Sequence, residues 1–277
     1  MLKASGALDD LMARLQAIGR VAIAVSGGVD SMTLAVVAHR ALGTEARMYH
    51  AVSPAVPAEA TERVRRFTRR ERWVLEVLDA GEFHDQRYRD NPVDRCYYCK
   101  TNLYGAIARR TDTLILSGTN TDDLGDYRPG LGAAKAYGVR HPYVESGVDK
   151  EGVRAIARLL ALWDVAELPA APCLASRIET GLPIEPSVLD AVQATEKLLG
   201  KLLAPRVVRC RVRQAAIAIE LDPATLDGLT GDRRHSLAQQ VENVFQSIGL
   251  DRPVDFTRYR MGSAFLHEQG MRGTFEG

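Results

Sequence analysis

The feature that most constrains this chain is a short β-prone run, Val21-Ala22-Ile23-Ala24-Val25. It passes through Ser26-Gly27-Gly28-Val29-Asp30-Ser31 into Met32 to Leu42, a segment with helical periodicity. A continuous apolar run of this kind reads as a strand buried on both faces, hence as part of a parallel sheet covered by helices. Two glycines permit backbone angles closed to other residues and let N–H groups converge on an anion, while the helix adds its positive amino end. Ser26 and Ser31 supply hydroxyl donors. Asp30 is the residue an ordinary turn would not need, because a carboxylate beside a phosphate is repulsive unless a cation such as Mg2+ stands between them. The segment therefore reads as a loop for phosphate plus metal. It has neither the Lys-Ser/Thr ending of a Walker loop nor the GxGxxG of a dinucleotide turn.

Further strands are expected at Ala46 to Val52, Trp73 to Leu78 and Thr113 to Leu116, each separated by a helix-length segment, so the fold class is α/β. The 277 residues suit one large or two modest domains. From Ala170 the texture changes to Pro172, Gly181, Pro183 and Pro186, which places a boundary near residue 178 and divides the chain into 1–178 and 179–277. Beyond it a helix (Pro186 to Leu203), a β-rich stretch (Arg206 to Leu221), a helix (Arg234 to Ile248) and a strand near Val254 suggest a small α+β module.

Charge and composition exclude several partners. With 36 Lys+Arg against 35 Asp+Glu, no bulk field gathers polyanions, so any such ligand needs a local patch. The one candidate is the arginine run at 63, 65, 66, 69, 70 and 72, readable as an RNA-binding face or as a solvated helix with Glu62 and Glu71 interspersed. Charge runs usually just face water, so the solvated helix is the expectation and nucleic acid is not an expected partner. No stretch reaches the roughly 18 apolar residues of a membrane helix, and the first residues lack the apolar core of a signal peptide. A cytoplasmic protein with no membrane partner is expected. Four cysteines are too few for a disulfide framework.

Those cysteines and a second glycine turn are the remaining chemical signals. Ser117-Gly118-Thr119-Asn120-Thr121-Asp122-Asp123 directly follows the fourth strand. Loops at the carboxyl ends of parallel strands converge on one crevice, so this turn can face the phosphate loop, with Asp122 or Asp123 completing a Mg2+ site or capping a helix. Cys96 and Cys99 form a C-x2-C, and Cys173 follows much later. Three uses are open: structural zinc completed by Cys210 or His141, a redox pair, or an iron–sulfur cluster on Cys96, Cys99 and Cys173 with one iron open to carry an extra sulfide.

The residues 26–31 resemble the SGGxDS motif of the PP-loop ATP pyrophosphatases. In that family the loop grips the leaving pyrophosphate while the α-phosphorus is attacked, so the resemblance implies adenylation. Together with NPVDRCYYCK (91–100), GTNTDDLGDYRPG (118–130) and PCLASR (172–177), the chain is similar to the LarE family, densely over about 20–180 and more weakly through 206–263. These are ATP-dependent sulfur transferases of nickel-pincer cofactor biosynthesis, which turn carboxylates of pyridinium-3,5-biscarboxylic acid mononucleotide into thiocarboxylates. The resemblance implies a PP-loop domain with a smaller C-terminal domain, ATP and Mg2+ held by Ser26, Gly27, Gly28, Asp30, Ser31, Gly118 and Asp123, and a 4Fe-4S cluster on Cys96, Cys99 and Cys173. Sulfur then comes from cluster-bound sulfide or from Cys173, with Arg177 near the reacting carboxylate. Arg209 and Arg211 share one strand face, which suits a mononucleotide phosphate, and Arg260 matches the family's closing arginine motif. A homo-oligomer, a hexamer in the family, is implied as well.

Two departures bear on the substrate. The run 212–220 lacks the family's His/Gly/Asp pattern, and Ala166-Glu167-Leu168-Pro169 replaces a Trp-Asp-Lys-Pro, so a lysine near Cys173 is missing. The other relatives of the loop are tRNA-thiolating and amide-forming adenylating enzymes. The latter need an amidase partner or a glutaminase domain for ammonia, and neither is present in these residues.

Overall fold

The computed structural model describes residues 2–125, 127–170 and 172–263. They form two compact units, one drawn from Met1–Asp85 and Asp94–Ala171, the other from Gln86–Val93 and Pro172–Gly277.

The first unit is built on a four-stranded parallel sheet of β1 (Val21–Ala24), β2 (Ala46–Ala51), β3 (Val74–Leu78) and β4 (Leu114–Leu116), in the order β3-β2-β1-β4. This is a Rossmann-like α/β arrangement. All four residues of β1 are buried, and the twofold alternation of a strand divides them between two cores. Val21 and Ile23 pack with Leu11 and Leu15 of α1 (Leu2–Ile18), Val36 of α2 (Val29–Leu42) and Val64 and Phe67 of α3 (Ala58–Glu71). Ala22 and Ala24 face the other way, against Tyr104 and Ile107 of α4 (Arg95–Ala108) and Ala133 and Ala134 of α5 (Pro129–Ala136). Helices on both faces are what make the alternation apolar throughout. A further helix, α6 (Lys150–Leu159), adds Val153 and Ile156 to the first core.

The expected strands exist with trimmed ends. Val25 leaves β1 but still donates its N–H to Tyr49 O at 2.8 Å, so the chain stays extended into the loop. The first crossover helix begins at Val29, three residues before Met32, because Gly28 in an extended conformation serves as its N-cap. Helix α1 was not foreseen in the sequence.

The second unit has α7 (Pro186–Leu203), β5 (Val208–Val212), β6 (Ile217–Leu221), α8 (Gly231–Gln246) and β7 (Val254–Arg258). Its sheet runs β5-β6-β7, with β5 and β6 antiparallel and β6 and β7 parallel. Helix α8 starts at Gly231, earlier than the expected Arg234, because the Thr230 side chain caps it by accepting the Arg233 N–H. Residues 86–93 belong here through Asn91, whose side-chain amide donates to Glu179 O and Leu182 O, both at 2.8 Å, while Asn91 O accepts from Gly181. Ile184 N–H is received by Arg89 O at 2.8 Å. No helix among the described residues is long and apolar enough to cross a membrane.

Candidate active site

At the carboxyl end of β1 the loop 26–31 is tied by its own hydroxyls. Ser31 Oγ accepts the Ser26 N–H at 3.0 Å and lies 3.0 Å from Ser26 Oγ, and Gly28 O accepts from Ser31 Oγ at 3.3 Å. Gly28 offers the amino end of α2 no side-chain cap, so that end suits an external anion. Gly27 sits at φ +85°, and a Cβ there would lie 2.8 Å from Ala60 O, so both angle and space demand glycine. Helix α3 thus abuts the loop, and Arg63 of α3 donates from Nη1 to Gly27 O at 2.6 Å. Burial lowers the Arg63 pKa, with neighbouring Arg66 second, but a guanidinium stays charged.

The turn after β4 closes on this loop. A Cβ on Gly118 would meet Ser31 N and Asp30 C at 2.8 Å, so the two backbones are in direct contact. Asn120, buried, donates from Nδ2 to Asp30 Oδ1 at 3.2 Å, and its N–H donates to Asp123 Oδ2 at 3.0 Å. Asp123 also pairs with Arg128 at 2.7 Å, while Asp122 accepts the Lys150 N–H. Asp30 is the hub of this cluster. Its Oδ2 receives Lys150 Nζ at 2.6 Å, and its carbonyl accepts from Tyr143 OH at 3.1 Å. Burial first and Asp30 second push the Tyr143 phenol well above its usual pKa, which keeps it a donor.

Mg2+ keeps several waters and needs only one or two protein carboxylates beside phosphate oxygens. Asp30 and Asp123, joined through Asn120, fit that donor set. Within either unit, among the described residues, no three His, Cys, Asp or Glu side chains gather closely enough to hold a metal by themselves.

His50, passed over in the sequence, sits under the loop, 1% exposed. Its Nδ1 is 2.7 Å from Val25 O and its Nε2 is 2.9 Å from Thr61 Oγ1, so it braces the chain just before Ser26 against α3. Desolvation is the largest cause of its lowered pKa, and burial lowers that of His141 too. An imidazole with a depressed folded pKa binds fewer protons folded than unfolded, so stability is full above the unfolded value of 6.5 and falls as pH drops through the folded pKa. Thermal melts between about pH 5 and 6.5 should therefore show a steeper loss for the wild type than for His50→Gln, and equal slopes would contradict the brace.

The thiols fall in both units. Cys96 and Cys99 lie one turn apart on α4, both partly buried, where i and i+3 side chains share a face. Helix α5 packs beside them, a Cβ on Gly130 meeting Lys100 Cγ at 3.0 Å and Cys96 O at 3.6 Å. In the second unit, exposed Cys173 precedes a 3-10 turn, Leu174–Arg177. Arg177, 3% exposed, is held by Glu196 at 3.0 and 3.1 Å and by Pro172 O at 2.7 Å, so it shapes the segment carrying Cys173. Cys210 is fully buried, its thiol pushed well up by desolvation, which suits a packing residue.

Arg209 and Arg211 lie on one face of β5 but differ in use. Arg211 is 3% exposed and donates to Glu220 at 3.0 Å and to Ser176 O at 2.9 Å. Arg209 is half-buried, its Nη1 on Val208 O at 2.7 Å and its guanidinium 6.0 Å from the Tyr259 ring centroid. Arg260 is exposed.

The fold and this loop define an α/β protein with a glycine loop at the carboxyl end of a parallel strand, leading into the uncapped amino end of a helix. The chain is 36% identical over 265 residues to the uncharacterized protein slr1717 of Synechocystis sp., covering 92% of this chain and 95% of that one, and it belongs to the same family. It also resembles the LarE family. It is 29% identical over 234 residues to the pyridinium-3,5-bisthiocarboxylic acid mononucleotide synthase of Lactiplantibacillus plantarum, covering 78% of this chain and 79% of that one. The uncharacterized protein MJ0830 of Methanocaldococcus jannaschii is 25% identical over 208 residues, 73% of this chain and 79% of its own. No family model matches.

Proposed function

We propose that this chain is a sulfur transferase of the LarE type, with a PP-loop ATP pyrophosphatase domain that activates a substrate carboxylate by adenylation. One observation carries the proposal: the Gly118 backbone meets Asp30 and Ser31 at the amino end of α2, directly after the Gly27–Gly28 pair, so N–H groups and a carboxylate of the kind a triphosphate and its cation require stand together. Ser26, Gly27, Gly28, Ser31 and Gly118 would hold ATP, and Asp30 and Asp123 would hold Mg2+, which when bound neutralises charge on the departing pyrophosphate. A substrate carboxylate oxygen attacks the α-phosphorus, the bond to the bridging oxygen breaks, and pyrophosphate leaves into the N–H groups of the loop. The carboxylate, poor as an electrophile, becomes an acyl adenylate with AMP as leaving group.

Cys96, Cys99 and Cys173 would hold a 4Fe-4S cluster, which when bound would supply sulfide to the acyl carbon; without it the Cys173 thiolate would attack that carbon and expel AMP, and β-elimination would then break the Cys173 Cβ–Sγ bond, leaving the thiocarboxylate on the product and dehydroalanine in the chain. By likeness to the named synthase of Lactiplantibacillus plantarum the substrate is a pyridinium carboxylate mononucleotide. Of the arginines proposed for its phosphate, Arg209 and Arg260 are the better placed, since Arg211 is engaged by Glu220. The test is nucleotide product analysis with that substrate. AMP and pyrophosphate are expected, and ADP would overturn the adenylation step. Anaerobic purification with iron and sulfide analysis of Cys→Ala variants at 96, 99 and 173 decides the sulfur source. Loss of iron in all three supports the cluster, and loss in none leaves Cys173 as donor.

A second function, RNA thiolation, is favoured by one surface. Arg63, Arg66 and Arg70 are engaged by Gly27 O, Asp164 and Glu71 respectively. Among the described residues Arg65, Arg69 and Arg72, at i, i+4 and i+7, have no acidic partner. Trp163, 62% exposed, is the sequence neighbour of the Asp164 that pairs with Arg66, and an exposed indole of this kind offers a base a ring to stack on. Tight tRNA binding that weakens steeply with salt supports this function, and binding no stronger than that of an Arg65→Glu/Arg69→Glu variant opposes it.

A further inference from the structure

We infer that the Lys150 ammonium is the resident counter-cation of Asp30 and exchanges with a divalent cation, so that metal arrival and lysine release are one event. This rests on the proposal that the loop takes a phosphate chain with its metal. Four features of the structure support it. Lys150 Nζ lies 2.6 Å from Asp30 Oδ2, on the one carboxylate that projects from the glycine loop. The pair is not sealed: the lysine side chain is 36% exposed and the aspartate 26%, so either can be rehydrated without a large penalty. Among the described residues, the other side chains that hold Asp30 are neutral donors, Asn120 Nδ2 on Oδ1 and Tyr143 OH on its carbonyl, so the carboxylate keeps its place when the ammonium leaves. The Lys150 backbone is fixed independently, its N–H on Asp122 Oδ2 and its helix capped by Asp149, which accepts the Gly152 N–H at 2.7 Å.

Energetics favour exchange. A lysine–carboxylate pair this open to water contributes little, far less than a divalent cation gains from the same oxygen plus phosphate oxygens. The four-carbon stem lets the ammonium move while Cα stays in α6. Once displaced, the charge sits beside the phosphate site and adds to anion binding there.

The exchange predicts effects of opposite sign from one substitution. Removing the ammonium removes the competitor for metal, so Mn2+ alone, titrated by electron paramagnetic resonance without nucleotide, should bind Lys150→Met roughly threefold to fivefold more tightly than wild type, the fold-change of a pair worth about 0.6–1 kcal/mol. Lys150→Arg should bind Mn2+ as weakly as wild type, and Asp30→Asn should bind none at this site. For a non-hydrolysable ATP analogue with Mg2+, Lys150→Met should instead bind more weakly than wild type. A purely structural ion pair would lower both affinities, and unchanged or weaker Mn2+ binding in Lys150→Met overturns the exchange. Because the metal titration needs no turnover, the exchange can stand where AMP formation fails, and fail where AMP is formed.

Discussion

Gly118→Ala should weaken nucleotide binding on the order of a hundredfold while leaving the protein folded. The added Cβ would lie 2.8 Å from Ser31 N and from Asp30 C, and both are backbone atoms at the start of α2 that cannot swing aside as a side chain does. Relief requires the β4 turn and the loop to separate by several tenths of an ångström, at about 1–3 kcal/mol, the usual cost of overpacking. The same separation moves Asn120 away from Asp30 and widens the N–H array meant for phosphate. A misplacement on that scale costs a preorganised site on the order of a hundredfold in affinity or rate. Gly125→Ala, with nothing within 4 Å of its Cβ, is the matched control for the loss of a glycine in the same turn. Calorimetric titration of a non-hydrolysable ATP analogue checks it. Binding by Gly118→Ala within a factor of about three of wild type would show that the β4 turn does not shape the anion site.

What the sequence made legible is what is local. The loop at 26–31 declares itself because its requirements, a positive φ at Gly27, hydroxyls at both ends and a helix to follow, are all written within a few residues. The same holds for α7, where Pro186 at the first helical position and an apolar stripe mark its extent. The partners of Asp30 are different. Lys150 and Tyr143 stand more than a hundred positions away, and a lysine at the start of an amphipathic helix reads as a solvated surface residue until the sheet brings the β4 side of the fold onto β1. His50 looks like one more residue of a strand, and only its simultaneous reach to Val25 and Thr61 gives it a task. The contribution of 86–93 to the second unit depends on Asn91 in a left-handed conformation, φ 54°, with its amide turned to two distant carbonyls, a pattern with no signature in the linear chain. For β5 the alternation correctly sets Arg209 and Arg211 on one face. It is silent on the fact that Glu220, across the ladder, engages Arg211 and leaves Arg209 on a tyrosine ring.

That glutamate is the site of the second large effect, one of stability. Glu220, 1% exposed, accepts from Arg211 at 3.0 Å on one oxygen and from Arg213 at 3.2 Å on the other, where Ser263 also bonds. Arg211 is itself 3% exposed, so Glu220→Ala takes away the carboxylate it pairs with and leaves the buried guanidinium, among the described residues, with its hydrogen bond to Ser176 O. Stranding one member of a buried pair costs about 3–5 kcal/mol, whereas replacing both by apolar groups of similar size is often close to neutral. Glu220→Ala should therefore melt the second unit well below wild type, and Arg211→Met/Glu220→Leu should recover most of the loss. Urea unfolding followed by far-ultraviolet circular dichroism measures both. A single-variant loss under about 1 kcal/mol would mean that water reaches the pair, and a double variant as unstable as the single would mean that the site needs the charges themselves. Where the double variant recovers the loss, the phosphate of the proposed mononucleotide substrate is left to Arg209 and exposed Arg260, whose substitution should raise KM for it without shifting the melting transition.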